Sequence, residues 1–272
     1  MTPTAPNVFA LAEACLAATQ IDEKLERSAQ AAALVAADAV ALNRASPPPR
    51  PIAQPGRPPR PHLVEPRALP RRGLGSVEGR AALVHAVAHI EFNAIDLAWD
   101  AVYRFRDMPP EYYRDWAAVA ADETRHFCLL AARLAELGHV YGDFDAHNGL
   151  WEMAVKTSAS CLARMAMVPR VLEARGLDVT PPMIARLRNV GDTRTVEILE
   201  VILREEVAHV AAGSRWFAWC CAREDIDPET TFARLIGEHA GGALKPPFNE
   251  AARRAAGFSS AELARLVEKS AA

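Results

Sequence analysis

The chain has 272 residues, half of them apolar, enough for one sizeable core or one domain with appendages. With a formal charge of −3, bulk electrostatics argue neither for nor against nucleic acid. The five cysteines (Cys15, Cys128, Cys161, Cys220 and Cys221) form no CxxC pair, which excludes a cysteine-ligated zinc or rubredoxin-type iron site and fits a reducing compartment.

The N-terminus lacks a basic region ahead of its apolar part, so no signal peptide is read there. No run of apolar residues reaches the roughly 18–20 needed to span a bilayer. A soluble cytoplasmic protein with no membrane contact is expected.

Four regions are expected in chain order. Residues 1–45 form an N-terminal helical segment, because 7–44 is Ala/Leu-rich with few breakers; it reads as one long helix or two short ones. Residues 46–75 form a Pro/Arg-rich strap or linker. Ten of the twenty prolines lie in 46–73, and proline removes the backbone donor that helices and inner strands need. An extended, largely polyproline-like conformation follows. This segment carries Arg50, Arg57, Arg60, Arg67, Arg71 and Arg72 against one acid, Glu65. Two readings are open: a basic arm for RNA or another anionic partner, or a strap lying across the helices. The second is preferred, because a basic stretch is by itself a weak signal.

Residues 76–224 read as four long helices, the pattern of a bundle. The first runs from Ser76 to about Phe105. The second restarts near Pro110, since proline suits a first turn, and stops at Gly138. Loop composition occupies 141–149. The third runs from about Leu150 to Arg175 with a kink at Pro169. "GLDVTPPM" should interrupt it, leaving "MIARLRNVGD" as a short helix or turn. The fourth spans about Asp192 to Glu224. Residues 225–272 form a C-terminal extension with short helices at 229–239 and 259–268, the latter behind the serines of "GFSSAEL". No strand pattern is visible.

Two of these helices carry Glu-x-x-His on an apolar face: Glu123 and His126, then Glu206 and His209. Residues three apart on a helix point the same way. The first helix offers one acid on its apolar face, Glu91, beside Val84, Ala88, Ile95 and Val102. The third offers Glu173, with Glu152 as competitor. Glu91 and Glu173 are 82 residues apart, and Glu123 and Glu206 are 83 apart. The chain thus holds an approximate repeat of Glu, a helical hairpin, then Glu-x-x-His. Four buried carboxylates without compensation are prohibitive. Two divalent cations would leave a neutral core. This is the ligand arrangement of di-iron and di-manganese carboxylate bundles. Oxygen and imidazole donors without thiolate favour two iron ions first and manganese second, with zinc admissible. His85, His89 and Asp96 lie on a separate polar stripe of the first helix and are candidates for orienting ligands from outside the metal's own shell. For Tyr103, Tyr112, Tyr113 and Tyr141 two readings are open, a radical host or packing and loop contacts, and the second is preferred.

The strings "HIEFNAIDLAWDAVYRF", "DETRHF", "EARGLDVTP" and "REEVAHV" resemble the ferritin-like superfamily of diiron and dimanganese carboxylate proteins. More narrowly they resemble an uncharacterised bacterial branch carried as a domain of unknown function. The resemblance covers 76–224 most strongly. "EAR" is also distantly similar to the tRNA-modifying diiron hydroxylases, in which the glutamate matching Glu173 is an iron ligand. The resemblance implies an all-α, ferritin-like four-helix bundle and a dinuclear metal site, not a substrate.

Three functions follow as expectations. The first is an O2-activating oxidoreductase of the hydroxylase or oxygenase type, acting on a small molecule or tRNA, with electrons from an external donor. The second is a peroxide- or iron-handling protein of the ferritin or rubrerythrin kind, disfavoured by the missing CxxC tail. The third is a non-catalytic binding module with a structural metal or none. Neither the oligomeric state nor the catalytic groups beyond the metal centre are legible.

Overall fold

Every regular element of the computed structural model, which describes residues 5–241 and 244–271, is helical; among these residues the β pairings are two isolated bridges, Asn7–Ala41 and Leu63–Ala146. The all-α expectation holds. The chain forms two units, residues 1–155 and 156–272.

In the first unit, α1 (Val8–Ala17) and α2 (Ile21–Ala36) resolve the N-terminal segment into two helices. They are followed by the strap, then α3 (Val77–Arg104), α4 (Pro110–Glu136) and, at the edge of the unit, α5 (Gly149–Lys156). The starts of α3 and α4 follow local chemistry. Ser76 Oγ accepts from the Gly79 N–H at 3.0 Å, and Pro110 fills the first position of α4, where a missing donor costs nothing. Helix α1 packs on α2 and α3, α2 on α4, and α3 on α4, closing a ring of four helices. Trp99, Trp116, Phe92 and Leu130 fill its interior. Two polar side chains inside it find partners: the Trp99 indole N–H donates to Ser28 Oγ at 2.8 Å, and the Thr124 hydroxyl donates to the Ala120 carbonyl at 2.7 Å. Helix α3 is long and apolar enough to cross a membrane by length and composition, although no spanning run was expected. In its most apolar stretch 72% of residues are buried within the protein, as in a globular core helix.

The strap is ordered against this unit. The Gly56 N–H donates to the Leu16 carbonyl at 2.7 Å, the Trp151 indole to the Ala53 carbonyl at 3.0 Å, and the Arg50 N–H to the Tyr103 hydroxyl at 2.9 Å. Arg57 turns inward and donates to Asn93 Oδ1 at 2.8 Å. A side chain at position 56 would place Cβ 2.5 Å from the Ala17 and Ala18 carbonyl oxygens, so only glycine allows this approach.

In the second unit, α6 (Cys161–Met167) runs into a π-helical turn (Val168–Glu173) and then α7 (Ala174–Asn189). Both helices and the turn pack on α8 (Thr193–Glu224), and α9 (Pro228–Ala240), α10 (Glu250–Ala255) and α11 (Ser260–Ala271) complete the unit.

Four features depart from the sequence reading. The expected helix over 150–175 stops at Lys156 and restarts at Cys161, where Ser160 Oγ caps the Ala163 N–H at 3.1 Å. Pro169 is absorbed in a π turn rather than a simple kink. The string "GLDVTPPM" does not interrupt: α7 continues through Pro181 and Pro182. Pro181 has no N–H for the Leu177 carbonyl four residues back, but Asn249 Nδ2 donates to that carbonyl at 3.2 Å. A residue distant in sequence thus restores the bond that proline removes. Helix α10, begun by that same Asn249 (Oδ1 to the Ala252 N–H, 3.2 Å), was not foreseen.

Candidate metal centre

The hairpin of α3 and α4 brings three predicted residues together. Glu91, Glu123 and His126 are buried at 4%, 1% and 0% exposure, and each offers a ligand atom within 4.8 Å of the others. His126 Nδ1 lies 3.1 Å from Glu91 Oε2 and 3.6 Å from Glu123 Oε2. Phe92 and Phe127, each next to one of these residues in sequence, contact each other and Tyr141 at ring distances of 5.1–5.3 Å.

The electrostatics show what this donor set calls for. Burial works against a charged imidazole, yet hydrogen bonding to the Glu123 and Glu91 carboxylates outweighs it and lifts His126 to about 11. Two carboxylates packed around a buried imidazole therefore hold a proton on it at neutral pH. A divalent cation satisfies the same excess negative charge with stronger, directional bonds, and the oxygen and imidazole donors suit iron, manganese or zinc.

The second unit carries the second motif. On α8, His209 Nδ1 lies 3.3 Å from Glu206 Oε1, and both residues are buried. Glu173 ends the π turn and is also buried, whereas its competitor Glu152 on α5 is exposed. Of the six predicted ligands, two carboxylates and one imidazole are thus buried in each unit, taken separately.

The polar stripe of α3 forms its own network. His85 Nε2 accepts from the Gly142 N–H at 2.9 Å. His89 meets the Tyr141 hydroxyl at 2.8 Å through Nδ1, and the His147 carbonyl at 3.0 Å through Nε2. Burial lowers both histidines to about 4, so both are neutral at pH 7. Asp96 is fully buried and ion-paired with the equally buried Lys24; burial raises its value and Lys24 opposes that. These groups fasten α3 to the 141–147 loop and to α2.

Sequence reading missed the partners of the π turn. Arg170 within it is 2% exposed and donates to Glu262 of α11. The available signal was local: Glu262 stands three residues after Ser259, the spacing of a capping box, and both reciprocal bonds form, at 2.8 and 3.1 Å. Its second partner is not readable from spacing.

Residues 17–264 match the model of a family described as protein of unknown function (DUF455), and the chain belongs to that family. A relative from Haemophilus influenzae, described as "Uncharacterized protein", is 43% identical over 218 residues, covering 78% of this chain and 76% of the relative. No solved structure matches.

Proposed function

We propose that this member of the DUF455 family is a dinuclear, ferritin-like metal protein whose chemistry is the activation of O2 for oxidation of an organic substrate. The buried cluster of Glu91, Glu123 and His126 is the observation that carries the reading, because nothing in the packing of an α3–α4 hairpin requires two carboxylates around an imidazole. In this proposal Glu206 is a further ligand to the same centre, and Glu173 and His209 complete a set of six. The support is the repeat in the sequence and the matching chemistry of the two units.

The donor set fits two divalent ions: four carboxylates would balance four positive charges, and the two imidazoles would add a nitrogen donor for each ion. Held by these residues, a reduced iron pair would supply electrons for oxygen activation. The chain's own residues do the rest. Glu91 and Glu123 hold charge that only a cation or a proton offsets. The neutral His85 and His89 fix the 141–147 loop that carries Tyr141. The reading also places the protein in the cytoplasm, with an external electron donor.

Elemental analysis of protein purified without chelator tests this. Close to two equivalents of iron plus manganese are expected, with loss in Glu123→Ala and Glu206→Ala. Less than one equivalent, with both variants folding normally, overturns the metal reading. A transient visible band on exposing the anaerobically reduced protein to oxygen is the expected sign of oxygen activation. A 24-subunit shell on gel filtration would instead favour iron storage.

A further inference from the structure

The π turn that ends in Glu173 is gripped from two sides. On one side, Arg170 Nη2 donates to both carboxylate oxygens of Glu262, at 2.8 and 2.9 Å. The guanidinium also lies over three rings, Phe217 of α8, Phe232 of α9 and Phe258, with centroids 4.7, 4.2 and 4.5 Å away. Arg170 is 2% exposed and Glu262 6%. On the other side, Pro169 sits directly on Gly213 of α8: a Cβ there would lie 2.3 Å from Pro169 Cβ and Cγ. Gly213 follows His209 by four residues and Glu206 by seven, so all three occupy one stripe of α8.

A buried ion pair is a poor device for stability, since an apolar pair of similar volume usually does as well or better. It is a good device for fixing orientation, because Nη2 is held by both carboxylate oxygens and three aromatic rings within 5 Å confine the guanidinium. A π turn holds one more residue than the α-helical path it replaces. Glu173 therefore takes the place that residue 172 would have in an unbroken helix, seven residues after the fully buried Met165 and on its stripe. Such turns are held open by their surroundings and otherwise relax to regular helix. Relaxation here would rotate Glu173 by about 100°, one residue's worth of helix.

We propose that Arg170, Glu262 and Gly213 are positioning residues of the metal centre, which lock the π turn so that Glu173 stays aimed as a ligand. The C-terminal helix α11 is then part of the centre's support. The proposal rests on the reading of Glu173 as a ligand.

The test is anaerobic titration of the metal-freed full chain with Co2+, following the visible ligand-field bands, with folding checked by circular dichroism and thermal melting. Glu173→Ala is the reference and should lose one of two equivalents. Glu262→Gln retains the acceptor that caps α11 but removes the charge facing Arg170. It should weaken that same equivalent about tenfold or more and change its band, leaving the other equivalent intact. The double variant Arg170→Met/Glu262→Leu replaces the pair with apolar groups and guards against a folding defect; it should show the same selective loss. A support role without effect on Glu173 would move the melting temperature but not the cobalt spectrum. Wild-type affinity and spectrum for both equivalents in the double variant, while Glu173→Ala loses one, overturns the positioning role. If Glu173→Ala itself keeps both equivalents, the ligand assignment fails, and the positioning role fails with it.

Discussion

His126 Nδ1 stands 3.1 Å from Glu91 Oε2, an imidazole of one helix paired with a carboxylate of its neighbour inside a buried hairpin. In metal-free protein this pairing should keep His126 charged well above neutral pH. Glu91→Gln removes one of two carboxylate charges facing the ring and should lower its value from about 11 by about 1–3, read by NMR titration of the ring in chelator-treated protein. Because the folded value is raised, the pairing stabilises the metal-free fold fully below about 6.5, and that stability is lost as pH rises toward about 11. A wild-type fold no less stable at pH 10 than at pH 7 would contradict this.

Acid should act through different residues. Burial holds His85 and His89 neutral down to about 4, against an ordinary value of 6.5. Their folded values are depressed, so the stability is present above about 6.5 and lost as pH falls toward about 4, where the unfolded chain alone binds the protons. Urea midpoints of metal-free protein should fall across that window. The fall should be shallower in His85→Gln, whose side chain does not titrate; an unchanged slope would show that His85 is not responsible.

Asn249 and Pro181 should be coupled energetically. Asn249→Ala leaves the Leu177 carbonyl without its donor inside α7 and should cost about 1–3 kcal/mol. In a Pro181→Ala background the helix supplies its own N–H to that carbonyl, and the same substitution should cost markedly less. Equal costs in the two backgrounds, measured by denaturant unfolding as a double-mutant cycle, would refute the coupling.

Lys24 and Asp96 form an ion pair with no solvent access. Lys24→Met strands the Asp96 carboxylate and should destabilise by about 3–5 kcal/mol, whereas Lys24→Met/Asp96→Leu should recover most of that loss. If the double variant is as unstable as the single one, packing rather than stranded charge is the cause.

Gly56→Ala should lift the strap from α1, because its Cβ would collide with backbone carbonyls that cannot turn aside. Proteolysis within 46–73 should rise sharply relative to wild type. Unchanged protection would mean that the strap is held elsewhere.

Much of the fold was legible because it rests on local rules. Ser76, Pro110 and Asp192 mark helix starts with their own side chains or missing donors, and the observed α3, α4 and α8 begin beside them. Glu91, Glu123 and His126 could be grouped because helical periodicity places an acid or imidazole on an apolar face wherever a buried partner is needed. Where reading failed, the deciding bond came from far along the chain. Pro181 and Pro182 look like an interruption until Asn249 supplies a donor, and Pro169 looks like a kink until Gly213 makes room for it.

The sequence by itself determined the helical class, the repeat of carboxylates and histidines, and the chemistry that those residues require, since periodicity, capping and charge neutrality act within a turn or two or depend only on residue type. The tertiary structure alone decided that Glu91, Glu123 and His126 converge, that the arginine-bearing strap lies on the helices, and that the turn bearing Glu173 is π-helical and tied to Glu262. These depend on bonds between residues dozens of positions apart, such as Arg170 and Glu262, whose pairing no local spacing encodes.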